Sequence, residues 1–204
     1  MIWLNWRVAD EGYDLKDREL VAKSEPRSRG IVCLKDDVAE RICLDFVALD
    51  NLPESICEFA NRYGFLSKTP DLSEPIGLWQ SEIFAVRDVV AAYCDGRAME
   101  ATRMYGVGYS RQTGATAGFV PNVGSSDIEF RCMAHDLASW IWLETGHNLK
   151  GRQVAKCREC KRFFFKGGGK GARRSQSRNT RQFCGIWCKT AHNNRIAMQR
   201  KVNF

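Results

Sequence analysis

Apolar positions alternate at the N-terminus: Ile2, Leu4, Trp6 and Val8 fall on one side, with Asn5 and Arg7 among those opposite. A period of two predicts a half-buried strand. Gly30-Ile31-Val32-Cys33-Leu34-Lys35 predicts a second strand. The charged connection between them, residues 10–29, has a poor pattern. From residue 36 the spacing lengthens. Val38, Ile42, Phe46 and Leu49 recur at helical intervals, although residues 42–47 would also suit an extended chain.

The next helix is predicted over residues 51–64, with Asn51 as cap, Pro53 in the first turn and Glu54 at capping-box spacing. Ile56, Phe59, Ala60 and Tyr63 line its apolar face, and Gly64 is its stop. Ser73-Glu74-Pro75 is expected to open a longer helix that carries Ile83, Val86, Val90 and Tyr93 and breaks at Gly96. A shorter helix follows over residues 97–105.

Residues 106–124 hold five glycines and Pro121 with no hydrophobic period, which predicts a long loop. It reads as a connector or as a contact surface, from which Arg111 and Gln112 could reach a phosphate. Ser125 or Ser126 is then expected to cap a helix through Thr145, closed by Gly146, with Ile128, Leu137, Trp140 and Ile141 apolar. The expected class is α+β, mostly α: a helical scaffold with a small N-terminal sheet element.

Composition narrows the class of protein. The chain has 204 residues, 44% hydrophobic and 27% charged, enough for one main core and a small appendage. No run of 18 apolar residues occurs, which excludes a membrane-spanning helix. The first residues lack the basic region of a secretory signal, so a cytoplasmic location is expected.

Charge divides the chain. Of its 31 Lys and Arg, 16 lie in residues 150–204 against one acid, Glu159, giving +15 there and −8 in the rest. Two units are therefore expected, an acidic scaffold over residues 1–149 and a basic module over 150–204.

The acidic part offers little chemistry. His135 and Asp136 are adjacent, so on a helix they diverge, and no phosphate loop, dinucleotide fingerprint or nucleophile elbow occurs. Catalysis is not expected. Cys33, Cys43, Cys57, Cys94 and Cys132 are scattered singly and read as small buried hydrophobes.

The other four of the nine cysteines form the strongest signal in the chain. Cys157-x2-Cys160 and Cys184-x3-Cys188 pair two tight turns that each aim two sulfurs at one point. Four soft anionic ligands suit tetrahedral Zn2+, and a closed four-ligand set holds structure and does not activate water. His192 is an alternate ligand, and spacing alone also suits a redox dithiol or an iron–sulfur cluster. Phe163, Phe164 and Phe165 supply a hairpin strand and small core, and a helix over about 186–201 is expected to cover the metal, with Ile196 and Trp187 inward. These pieces fit a treble-clef-like finger whose folding depends on its metal.

The basic residues Lys166, Lys170, Arg173, Arg174, Arg178, Arg181, Lys189 and Arg195, interleaved with Ser, Thr, Asn and Gln, suit a phosphate backbone. Nucleic acid is the expected partner, DNA before RNA. An acidic protein surface comes second, and an anionic membrane is disfavoured because no amphipathic apolar stripe is evident.

The run Cys157-x2-Cys160, Phe163-Phe164, a Gly/Arg-rich loop, Arg181-Gln182-Phe183-Cys184-x3-Cys188 and a basic helix resembles the bacterial CGNR-type zinc finger. In that family the finger follows a mostly helical domain called ABATE, to which Leu44-Asp45-Phe46-Val47 and Asn61-Arg62-Tyr63-Gly64-Phe65-Leu66 are similar in order. The resemblance implies a DNA-binding, regulator-like role and the four cysteine ligands. The family's Gly-Asn-Arg is here Lys189-Thr190-Ala191, with Asn193-Asn194-Arg195 a little later. A second reading makes the chain a subunit of a larger nucleoprotein assembly, such as a bacterial or plasmid defence (CRISPR-type) effector complex, docked through its acidic scaffold.

Overall fold

The computed structural model describes residues 2–33, 36–67, 72–112, 114–121, 128–151, 153–166 and 182–202. Among these, the chain opens with strands β1 (Ile2–Val8), β2 (Tyr13–Lys16), β3 (Glu19–Ala22) and β4 (Arg27–Cys33), followed by helices α1 (Asp36–Ala48) and α2 (Pro53–Tyr63). A short strand β5 (Ser73–Pro75) leads into α3 (Ile76–Cys94) and α4 (Ala98–Ser110). Then come β6 (Ala115–Pro121), β7 (Ile128–Ala134), α5 (Leu137–Gly151), the hairpin β8 (Gln153–Lys156) and β9 (Phe163–Lys166), and finally α6 (Ile186–Val202). The class is α+β, mostly α.

The sheet content exceeds the sequence expectation. A four-stranded sheet runs β4-β1-β7-β6, with β1 parallel to β7 and the outer pairs antiparallel. Leu4 and Val8 of β1 are buried, as period two requires, and α5 packs on the strand. β6 and β7 arise from residues read in sequence as loop and helix start. The glycines and Pro121 hid the first strand, and the apolar Ile128 suited either period.

The connection of residues 10–29 contains a hairpin of its own. Asp17 and Arg18 both take positive φ, 47° and 67°, between β2 and β3, the backbone signature of a tight two-residue hairpin turn. Asp17 suits the first position of that turn, but Arg18 stands where glycine is usual, so the pair does not read as a hairpin signal. β5 adds to the same sheet against β3. Ser73-Glu74-Pro75 therefore extends as a strand, and α3 begins one residue later.

Glu74 explains that choice. Its buried carboxylate accepts from the backbone N–H of Leu66 at 3.0 Å and of Ser67 at 2.6 Å, from Ser67 Oγ, and from Trp79 Nε1 at 2.9 Å. The extended residue drives this side chain inward, where it ties the loop after α2 to the first turn of α3. Asn51, expected as a cap, instead takes φ 68°, and Leu52 stands at the N-cap with Pro53 following. Gly64 ends α2 at φ 97°, where a side chain would press on the carbonyl of Arg7.

One core joins these layers. Trp79, Trp140, Trp142, Tyr13 and Phe46 are fully buried, and Ile83, Val86 and Val90 of α3 face them. Val154 of β8 belongs to the same core and Phe163 of β9 packs against it, so the hairpin that precedes α6 is rooted on the scaffold.

Candidate metal centre

β8 and β9 pair antiparallel with Lys156 opposite Phe163, which leaves Cys157 and Cys160 at the hairpin tip. The tip closes tightly. Cys157 N–H donates to Arg162 O at 2.8 Å and Lys161 N–H to Cys157 O at 3.1 Å, with Lys161 at φ 62°. Arg158 N–H reaches Gln182 O at 3.1 Å, so the chain returning toward Cys184 is hydrogen-bonded to the turn. Cys184 N–H then points at Cys157 Sγ at 3.5 Å. The second pair straddles the start of α6, whose first turn places Cys188 above Cys184.

The four sulfurs lie within 4.8 Å of one another. Cys184 Sγ is 3.6 Å from Cys160 Sγ and 3.5 Å from Cys188 Sγ, and all four cysteines are free of disulfides. Sulfurs this close and this oriented can hold a metal ion.

Electrostatics agree with a cation site. Burial raises the Cys157 thiol, but the backbone N–H groups of Cys184, Cys160 and Glu159 outweigh it and bring it down to about 6. Burial together with hydrogen bonds to Cys188, Cys160 and Cys157 pushes Cys184 up to about 12. One thiolate is thus favoured and a second beside it is resisted. A divalent ion at the centre would stabilise the further ionisations.

Around the cysteines, Glu159 works as a clasp. Arg195 Nη2 donates to Glu159 Oε2 at 2.7 Å, and His192 Nδ1 lies 3.2 Å from the same oxygen. His192 also packs against Phe183, ring centroids 5.0 Å apart. The residue weighed as an alternate ligand therefore joins turn to helix through its Nδ1. Cys188, His192 and Ile196 form the half-buried side of α6, while Trp187, expected inward, is 86% exposed.

Of the basic residues singled out in sequence, Lys189 is exposed on α6 and Arg195 is half-exposed in its ion pair. Lys166 ends β9. Lys170, Arg173, Arg174, Arg178 and Arg181 lie outside the described residues. Gln112 bonds Glu82 at 3.3 Å, and Arg111 stands exposed at the end of α4. Asp136 accepts from Ser139 N–H at 2.7 Å and caps α5, while His135 Nε2 lies 3.2 Å from Thr116 Oγ1. Glu159 was legible only as an isolated acid in a basic run.

No protein-family model matches the chain, and no curated protein matches it in sequence. Among the described residues, no helix is long and apolar enough to cross a membrane.

Proposed function

We propose that the chain is a non-enzymatic, cytoplasmic nucleic-acid-binding protein whose C-terminal module is a zinc finger of the CGNR type. The carrying observation is the convergence of four cysteine sulfurs within 4.8 Å inside the segment of net charge +15. The all-thiolate tetrahedral donor set suits zinc, with iron the rival that the metal analysis below distinguishes. A Zn–S bond of about 2.3 Å implies tetrahedron edges of about 3.8 Å, close to the 3.5 and 3.6 Å separations present.

The ion ties the hairpin tip to α6, and the Lys and Arg of the segment neutralise phosphates of DNA. Affinity then comes chiefly from counterion release. The acidic scaffold holds the module and offers a surface to proteins.

The test is metal analysis joined to a salt titration of duplex-DNA binding. One zinc per chain, with log affinity falling steeply in log salt, is expected. Absence of stoichiometric metal overturns the finger, and a flat salt dependence overturns the phosphate role. Exposed Phe84, Met99 and Val107 on α3 and α4 favour a second reading, a subunit of a nucleoprotein assembly. That subunit would carry zinc yet bind free duplex weakly.

A further inference from the structure

Trp187 stands apart from the other tryptophans whose side chains are described. Trp79, Trp140 and Trp142 are buried, and Trp6 is half-buried with its indole N–H bonded to Tyr63 O at 2.6 Å. Trp187 is 86% exposed in the first turn of α6, with Ile186 at 76% and Met198 at 70%. Helical spacing sets Trp187, Thr190, Ala191, Asn194 and Met198 along the face opposite Cys188, His192 and Ile196. The helix therefore packs on the metal turn without using its largest apolar side chain.

What would cover this face is decided by charge. The segment carries +15, which repels a second copy of itself and attracts a polyanion. Exposed Arg195, paired with Glu159, borders the stripe on one side, while exposed Lys189 stands on the far side of the helix next to Ile196. A polyanion with an apolar, π-rich face is a nucleic-acid strand with unpaired bases; in a duplex those faces are already stacked on one another. Thr190, Ala191 and Asn194 are short, so a base can lie flat on the indole, and the hydroxyl and amide can meet its polar edge.

We propose that Trp187 is a stacking platform for an unpaired base, and that the module takes single-stranded DNA in preference to duplex. This rests on the phosphate-binding reading above. Trp187 adjoins Cys188, so an ion held by the four sulfurs would also fix the backbone that carries the indole.

The test uses the full, metal-loaded chain and fluorescence anisotropy with a labelled oligo(dT) strand and a labelled duplex of equal length. The strand should bind more tightly than the duplex. Trp187→Ala should weaken strand binding about 10- to 100-fold while changing duplex binding little, and Trp187→Phe should restore part of the loss. Because the side chain is exposed, unchanged metal content and melting temperature will show that the variants are folded. Equal weakening on both ligands, or no weakening on the strand, overturns the stacking role, including the case in which Trp187 contacts a protein. If the unmodified chain binds neither ligand at low salt, the phosphate-binding reading fails first.

Discussion

Arg195 on α6 donates to Glu159 in the Cys157–Cys160 turn at 2.7 Å, across 36 positions of sequence. Glu159 is the single acid among residues 150–204, and it spends its charge internally on Arg195 and His192. The pair helps set the angle at which α6 leaves the Cys157–Cys160 turn, and it withholds one cation from any polyanion.

Glu159→Gln should therefore release Arg195. An ion pair with one partner half-exposed contributes about 1 kcal/mol or less, so thermal stability should change little. Binding to duplex DNA should tighten at low salt, and the slope of log affinity against log salt should steepen by about one unit. An unchanged slope would mean that Arg195 does not reach phosphate even when freed.

Glu74 makes a second prediction, about pH. Burial raises its carboxyl above the ordinary value, against the hydrogen bonds from Ser67, Leu66 and Trp79. A raised folded-state value means that the folded chain binds this proton more tightly than the unfolded chain. Stability from this group is then gained as pH falls through the folded value, and is complete below the unfolded value of about 4.3. Glu74→Gln removes the titration and sets an amide N–H2 against groups that donate. It should lower stability by about 2–4 kcal/mol. The difference from the unmodified chain should be larger at about pH 5 than at about pH 8 in paired denaturant melts. A pH-independent difference would contradict the raised carboxyl.

Two neighbouring glycines of α4 should respond in opposite directions. A Cβ at Gly108 would overlap the ring of Trp142, whereas one at Gly106 would meet nothing within 4 Å. In a helix interior alanine is favoured over glycine by up to about 1 kcal/mol. Gly106→Ala should stabilise by about that amount, while Gly108→Ala should destabilise by about 1–3 kcal/mol because overpacking outweighs propensity. Denaturant midpoints of the two variants, measured side by side, decide the point.

The same pair shows why part of the fold was hidden. Glycines 106, 108 and 114 read as a loop because their usual use is conformational freedom. Here Gly108 serves the approach of Trp142, and Gly114 the approach of Asp136 and Ser139. Only the partner across the fold distinguishes the two uses. Likewise β7 became a strand because β1 and β6 flank it, and Glu74 entered an extended segment because donors from Leu66, Ser67 and Trp79 converge there.

By itself the sequence determined what depends on local spacing and on residue chemistry. The N-terminal strand, the faces of α1 through α3, the stop at Gly64 and the pairing of four cysteines with metal-site spacing all follow from periods, turns and donor type. So does the charge division, since it needs no geometry. Tertiary structure decided the rest: the four-stranded sheet, the Glu159 clasp on Arg195 and His192, and the outward aim of Trp187. Each of these is a relation between segments far apart in the chain. A side chain's local pattern states what it can do, and the distant groups that meet it select which of those things it does.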